Sequence, residues 1–174
     1  MSNRSFVFLA VLLLLVAPTG LLAASYDPLL PLLVELAGWQ AKKAEGVDLN
    51  QAGMLGVSVF REYASDERSI AAAIMLGSQV GVTWLPEYEE GFKVQSGAGL
   101  MEVRKINGFL VHIGFDAEDS SGGVVVLLIP AVADKPASGA AFALSFEGLA
   151  LDDALKLAQK FDWKKMRDAA AKVK

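Results

Sequence analysis

The chain has 174 residues, with 16 basic and 20 acidic side chains, a formal net charge of −4, and no cysteine. The lack of thiols excludes disulfide bonds, thiolate nucleophiles, zinc–thiolate sites and lipid attachment through an N-terminal cysteine. The acidic balance gives no support for nucleic-acid binding, which normally uses a basic surface, so we expect no nucleic-acid partner.

The first 24 residues have the three parts of a secretory signal peptide. A short N-terminal region with one basic side chain, Arg4, precedes a continuous apolar run at 6–17. Pro18 ends this run, and small residues follow. This pattern predicts cleavage after Ala24 and export to the periplasm or the extracellular medium. The alternative is a retained anchor helix, because the apolar stretch is nearly long enough to span a bilayer. After cleavage, residues 25–174 suit a single domain with no stable membrane insertion.

The mature N-terminus is predicted to form an apolar helix. Asp27 is a good N-cap, Pro28 is a good first helical residue, and Gly38 is a good C-terminal stop. Leucines recur at helical spacing between these limits: Leu29, Leu32, Leu33 and Leu36. A polar loop is predicted to follow at 39–50.

A hairpin and a crossover are predicted next. Residues 55–63 and 69–76 carry apolar side chains at alternate positions and form the hairpin, joined by a polar turn. Residues 79–91 are predicted to form a short, imperfect helix that crosses to the next strand, because Val80, Trp84 and Tyr88 recur at helical spacing. Residues 94–99 are interpreted as a glycine-rich linker.

The centre of the chain, 100–129, is predicted to form three consecutive antiparallel strands. The dipeptide Asn107-Gly108 favours a two-residue type I′ turn. The register that follows puts Glu102 and Arg104 on one face of the hairpin and His112 on the other. The pattern leaves open which of these faces is buried. The strand at 124–129 is apolar throughout, which predicts a central strand covered on both faces.

A further strand at 139–146 and two C-terminal helices complete the predicted elements. The helices are expected at 152–161 and from Asp162, which caps the second one. The sum is an α+β fold with an antiparallel sheet of about six strands, covered by an N-terminal helix, a short crossover helix and the two C-terminal helices.

No motif in the chain carries a recognisable chemistry, and we predict no catalytic residue, metal or cofactor. His112 is the only histidine, and no partner for a catalytic triad stands near it in sequence. The acidic group at 116–119 does not match a calcium loop and is interpreted as a solvated turn. The group at 87–90 lies near Trp84 and Tyr88, a combination that can mark a sugar site, but it is interpreted as an exposed helix flank. Glu102 and Arg104 share a strand face and must pair or line a pocket if that face is buried. The candidate ligand-binding residues are Trp84, Tyr88, Glu102, Arg104 and His112.

Four segments resemble a set of small exported bacterial proteins of unknown function: GWQAKKAEG at 38–46, REY at 61–63, KINGF at 105–109 and LDDALKLAQKFDWKKM at 151–166. The element order is also similar to the PsbP-like fold. This resemblance implies an antiparallel sheet with helices packed on it and a non-enzymatic accessory or binding role. It supplies no site residues.

The sequence therefore predicts an exported, non-enzymatic binding or accessory protein of the cell envelope, whose partner is an envelope protein or a small amphiphilic ligand. One alternative is a carrier of a small apolar or anionic amphiphilic ligand, with the N-terminal helix and the crossover as a lid and Arg104 holding the head group. A second alternative is a hydrolase that uses two carboxyl groups facing each other across a cleft.

Overall fold

An antiparallel sheet of nine strands dominates the computed structural model, which describes residues 25–49, 55–132, 135 and 138–173. The strands are β1 Gln40–Ala41, β2 Glu45–Asp48, β3 Gly56–Ser65, β4 Arg68–Gly77, β5 Lys93–Ser96, β6 Gly99–Ile106, β7 Phe109–Asp116, β8 Ser121–Ile129 and β9 Ala140–Glu147. Their spatial order is β1-β3-β4-β9-β8-β7-β6-β5, and β2 also pairs with β3. The predicted segment 1–24 lies outside the described residues.

Helices are few and short in the described residues. They are α1 Val80–Thr83, α2 Leu151–Ala158 and α3 Trp163–Ala170, with one 3₁₀ turn at Leu30–Leu32. The predicted α+β fold with about six strands is therefore wrong, and the architecture is mostly β. The described part of the chain contains no helix that is both long and apolar enough to cross a membrane.

The predicted N-terminal helix is wrong as well. Pro31 cannot donate a helical hydrogen bond, and two backbone carbonyls that a helix would use accept bonds from β3 instead. Arg61 Nη1 donates to the Leu33 carbonyl at 2.8 Å, and the Tyr63 hydroxyl donates to the Val34 carbonyl at 2.9 Å. The leucines predicted to face inward are nonetheless packed against the sheet: Leu29, Leu33 and Leu36 are buried.

Three further segments differ from their predictions. The polar loop at 39–50 contains β1 and β2, and the linker at 94–99 contains most of β5. The crossover at 79–91 is helical only in α1, because Pro86 lies too close to its end for another turn.

The central hairpin is confirmed in its turn and its register. Asn107 and Gly108 both have positive φ, 52° and 85°, as a type I′ turn requires. Ile106 pairs with Phe109 and Arg104 with Val111, as the turn predicts. β8 lies between β7 and β9, which confirms its central place.

The two faces of the sheet are covered by different elements. The helix face packs against α2, α3 and the N-terminal segment, and it holds the main core: Val111, Ile113, Val124, Val126, Phe142 and Leu144 are buried there beside Trp163 and Met166. Asp162 caps α3 as predicted, accepting from the Lys165 amide at 2.9 Å. The opposite face is crossed by residues 78–92, here called the strap. This face of the sheet is called the strap face.

Candidate functional site

The five predicted site residues lie at one end of the sheet, around β5, β6 and β7, but on both of its faces. The strap leaves β4 and enters β5, and the strand order requires it to cross β9, β8, β7 and β6 on the way. Trp84, Tyr88 and His112 meet on the strap face. Glu102 and Arg104 lie on the helix face, since they pair with Ile113 and Val111.

The aromatic side chains of the strap form a row over the sheet. The Trp84 and Tyr88 rings meet edge to face at 6.0 Å between centroids, and Tyr88 and Phe92 are 5.7 Å apart. Tyr88 also lies flat on the His112 imidazole, with centroids 4.1 Å apart and planes 9° from parallel. All four residues are half-buried. The spacing of Trp84 and Tyr88 predicts a helix, but in the structure a turn around Pro86 brings them together.

His112 is held in an apolar setting. It pairs across the sheet with Val103 on β6 and Val125 on β8, and Tyr88 covers it. Its Nε2 is buried and has no hydrogen-bond partner among the described residues. Burial lowers the pKa of His112 below its ordinary value, because desolvation disfavours the charged imidazolium. The side chain is therefore neutral at neutral pH.

Other contacts fasten the two ends of the strap. At its start Val80 is buried against Gly139, and the Gln79 side chain donates to the Val57 carbonyl at 3.0 Å. At its end the Gly91 amide donates to the Val103 carbonyl at 2.9 Å, and an ion pair joins Glu90 to Lys105.

Glu102 and Arg104 form an ion pair at the margin of the helix face. Arg104 Nε lies 3.4 Å from Glu102 Oε1, and Lys93 Nζ lies 3.8 Å from Glu102 Oε2. The Glu102 side chain is 15% exposed, whereas that of Arg104 is 50% exposed. Neither face of the hairpin is therefore the single buried one. Both faces are covered by other elements over β7, and both are more exposed toward the margin of β6.

This arrangement separates the parts of the predicted carrier site. The N-terminal segment and Arg104 belong to the helix face, and the strap belongs to the opposite face. A ligand beneath the strap would have the whole sheet between it and Arg104.

The edge strand β5 is the part of this region that the sequence analysis missed. All four of its residues are exposed, and its outer side pairs with no described strand. Val94 on β5 and its cross-strand neighbour Met101 on β6 are 48% and 38% exposed, and both lie on the strap face. The only sequence signal for this strand is the short run KVQS before a Gly-Ala-Gly turn.

The acidic groups form no metal site within the described part of the chain. Asp116 Oδ1 accepts from the Glu118 amide at 2.9 Å in a local turn. No group of three or more histidine, aspartate or glutamate side chains among the described residues is placed to hold a metal ion.

Comparison of the chain with protein-family models, with curated proteins and with solved structures gave no match. The resemblance to small exported bacterial proteins and to the PsbP-like fold stays a prediction.

Proposed function

We propose that this chain is an exported, non-enzymatic binding or accessory protein of the cell envelope, and that it contacts a partner protein at β5. The observation that carries the proposal is the open outer side of β5, beside an exposed apolar pair. An edge strand presents unpaired backbone donors and acceptors, which a strand from another protein can pair with.

The side chains around β5 suit such a contact. Val94 and Met101 stand directly opposite each other, so they form one continuous apolar spot on the strap face. On the other face, Lys93 and Glu102 form an ion pair, which is typical of a polar rim. A strand added at β5 would meet apolar contacts on one face and charged contacts on the other.

The setting of His112 supports a binding role over a catalytic one. A general base must lie within hydrogen-bond reach of the proton it abstracts. The Nε2 atom of His112 is instead enclosed between Tyr88 and the sheet.

The test is native mass spectrometry of the mature chain, purified gently from its own exported compartment. Two single lysine substitutions are compared with the unaltered protein. Val94→Lys adds a charge to the apolar pair at β5. Val82→Lys is the matched control, because Val82 is 80% exposed on α1, away from that edge. Circular dichroism establishes that both variants are folded.

We expect a second protein to accompany the unaltered chain and the Val82→Lys variant, and the Val94→Lys variant to lose it. Equal retention by both variants would contradict a contact at β5. A small-molecule mass in place of a second protein would favour the carrier alternative.

A further inference from the structure

The strap is held at its middle by a Tyr88–His112 stack that encloses one imidazole nitrogen. Tyr88 and His112 are stacked at 4.1 Å, and Nε2 is buried without a hydrogen-bond partner among the described residues. A protonated imidazole carries a second N–H donor and a positive charge. Both would be enclosed here with nothing to satisfy them, which is costly.

The groups that face His112 offer no compensation. The side chains next to it on the strap face of β6, β7 and β8 are uncharged: Val103, Leu110, Gly114 and Val125. The nearest charge on the strap face of β6 is Lys105, whose sign is the same as that of an imidazolium. The strap carboxylates Glu87 and Glu89 are exposed, and Glu90 is paired with Lys105. Burial alone lowers the pKa of His112.

We propose that the strap is an acid-released cover: when His112 takes up a proton, the imidazolium leaves Tyr88 for water, and residues 84–92 come away from the strap face. Release uncovers Val103 and Val125, which the strap and its aromatic row shield in the closed form. The proposal concerns the free protein and is independent of the contact at β5.

Linkage gives the size of the effect. In the open form His112 is solvated and titrates near its ordinary pKa of about 6.5. Between that value and the lower pKa of the closed form, the open population rises about tenfold for each pH unit. We therefore expect opening to increase on acidification from about pH 7.5 to about pH 5.5, by at most about tenfold.

The experiment is NMR on the mature chain, which has a single histidine and hence one imidazole signal to follow. The chemical shift of that signal gives the titration of His112. Amide exchange, corrected for intrinsic rates, gives the opening of the strap through two bonds that join it to β6: the Gly91 amide donates to the Val103 carbonyl, and the Val103 amide donates to the Phe92 carbonyl. These two are called the strap amides. Core amides of β8 and β9 report global unfolding.

Two outcomes together support the proposal. His112 titrates below its ordinary value, and the strap amides lose protection on acidification, by at most about tenfold, while staying less protected than the core amides. The proposal is overturned if His112 titrates at its ordinary value. It is equally overturned if strap and core amides have the same protection at both pH values, since the strap would then open only with the whole fold.

Three variants separate protonation from packing. His112→Phe keeps an aromatic ring beneath Tyr88 without a titratable group, and it should remove the pH dependence of the strap amides. Tyr88→Ala uncovers the imidazole, so His112 should titrate near its ordinary value. This second variant keeps the test intact if His112→Phe does not fold. Glu90→Gln is the control, because it removes the ion pair with Lys105 and should loosen the strap equally at both pH values. A wild-type pH response in His112→Phe would overturn the proposal.

Discussion

Arg61 fastens the N-terminal segment to the sheet, and Arg61→Met measures how much of the stability depends on that attachment. The Arg61 side chain is 13% exposed and pairs with Glu35. Its Nε donates to the Lys42 carbonyl at 2.7 Å and its Nη1 to the Leu33 carbonyl at 2.8 Å. Methionine keeps much of the apolar length of arginine but donates no hydrogen bond, so both carbonyls lose their donor.

The expected loss follows from these contacts. Hydrogen bonds from a charged donor contribute about 1.5–3 kcal/mol each. The ion pair adds less than about 1 kcal/mol, because Glu35 is largely exposed. The hydrogen bond to the Lys42 carbonyl is exposed to solvent, so it contributes at the low end of this range. We therefore expect Arg61→Met to lower the free energy of unfolding by about 3 kcal/mol.

The assay is urea denaturation of the mature chain at neutral pH, followed by circular dichroism. Arg68→Met is the matched control, because Arg68 is exposed and its contacts with Ser65 and Asp66 lie within its own hairpin turn. Its cation–π contact with Trp39 is worth about 0.5–1 kcal/mol at an exposed site. An equal loss of stability in the two variants would refute the role assigned to Arg61.

Three further predictions concern the sheet, the last helix and the response to acid. Gly122→Ala should destabilise by about 1–3 kcal/mol in urea denaturation, because its methyl would lie 2.2 Å from the Gly114 carbonyl oxygen. Gly123→Ala should lower the free energy of unfolding far less, since its methyl would lie 3.8 Å from the nearest atom, the Leu144 carbonyl oxygen. Similar losses of stability in the two variants would contradict this prediction. Asp162→Ala removes the cap of α3 and should cost about 1 kcal/mol, whereas Asp162→Asn should cost little. The pKa of His112 is lowered by burial, so the unfolded chain takes up the proton first. The contribution of neutral His112 to the free energy of unfolding is fully present above pH about 6.5. It falls with decreasing pH by up to about 1.4 kcal/mol per pH unit until the lower pKa of the folded state is reached. Denaturation of His112→Phe across this range should lack that slope.

Local chemistry was enough to predict the centre of the sheet. Asn107-Gly108 determines a turn, the turn determines the register, and the register places Glu102 and Arg104 on one face. Their i, i+2 spacing on a strand predicts that they share a face, and on that face the two side chains form an ion pair.

The errors arise where distant residues decide the local structure. The leucines at 29–36 have helical spacing, but the backbone carbonyls of Leu33 and Val34 accept hydrogen bonds from side chains on β3, 28 and 29 residues further along the chain. The sequence predicts a linker at 94–99 because β5 has only four residues and the glycine-rich turn Gly97-Ala98-Gly99 follows it directly. Its pairing with β6 supplies what its own sequence does not indicate.

In the candidate site, too, local patterns identify single residues, whereas contacts between distant residues bring them together. Trp84 and Tyr88 were selected for their spacing, and His112 for its chemistry. Their meeting depends on the path of the strap across four strands, which no local pattern encodes. The topology also explains why Arg104 and the strap do not share a pocket.

The central claim, that a partner binds at β5, is tested most directly by site-specific photo-crosslinking in the cells that produce the protein. A photoreactive residue replaces Gln95 on β5 in one variant and Glu67 in the other; Glu67 is exposed in the turn between β3 and β4, near the opposite edge of the sheet. We predict one discrete crosslinked product from position 95 and none of that mass from position 67. A product from position 67 with none from position 95 would contradict the account.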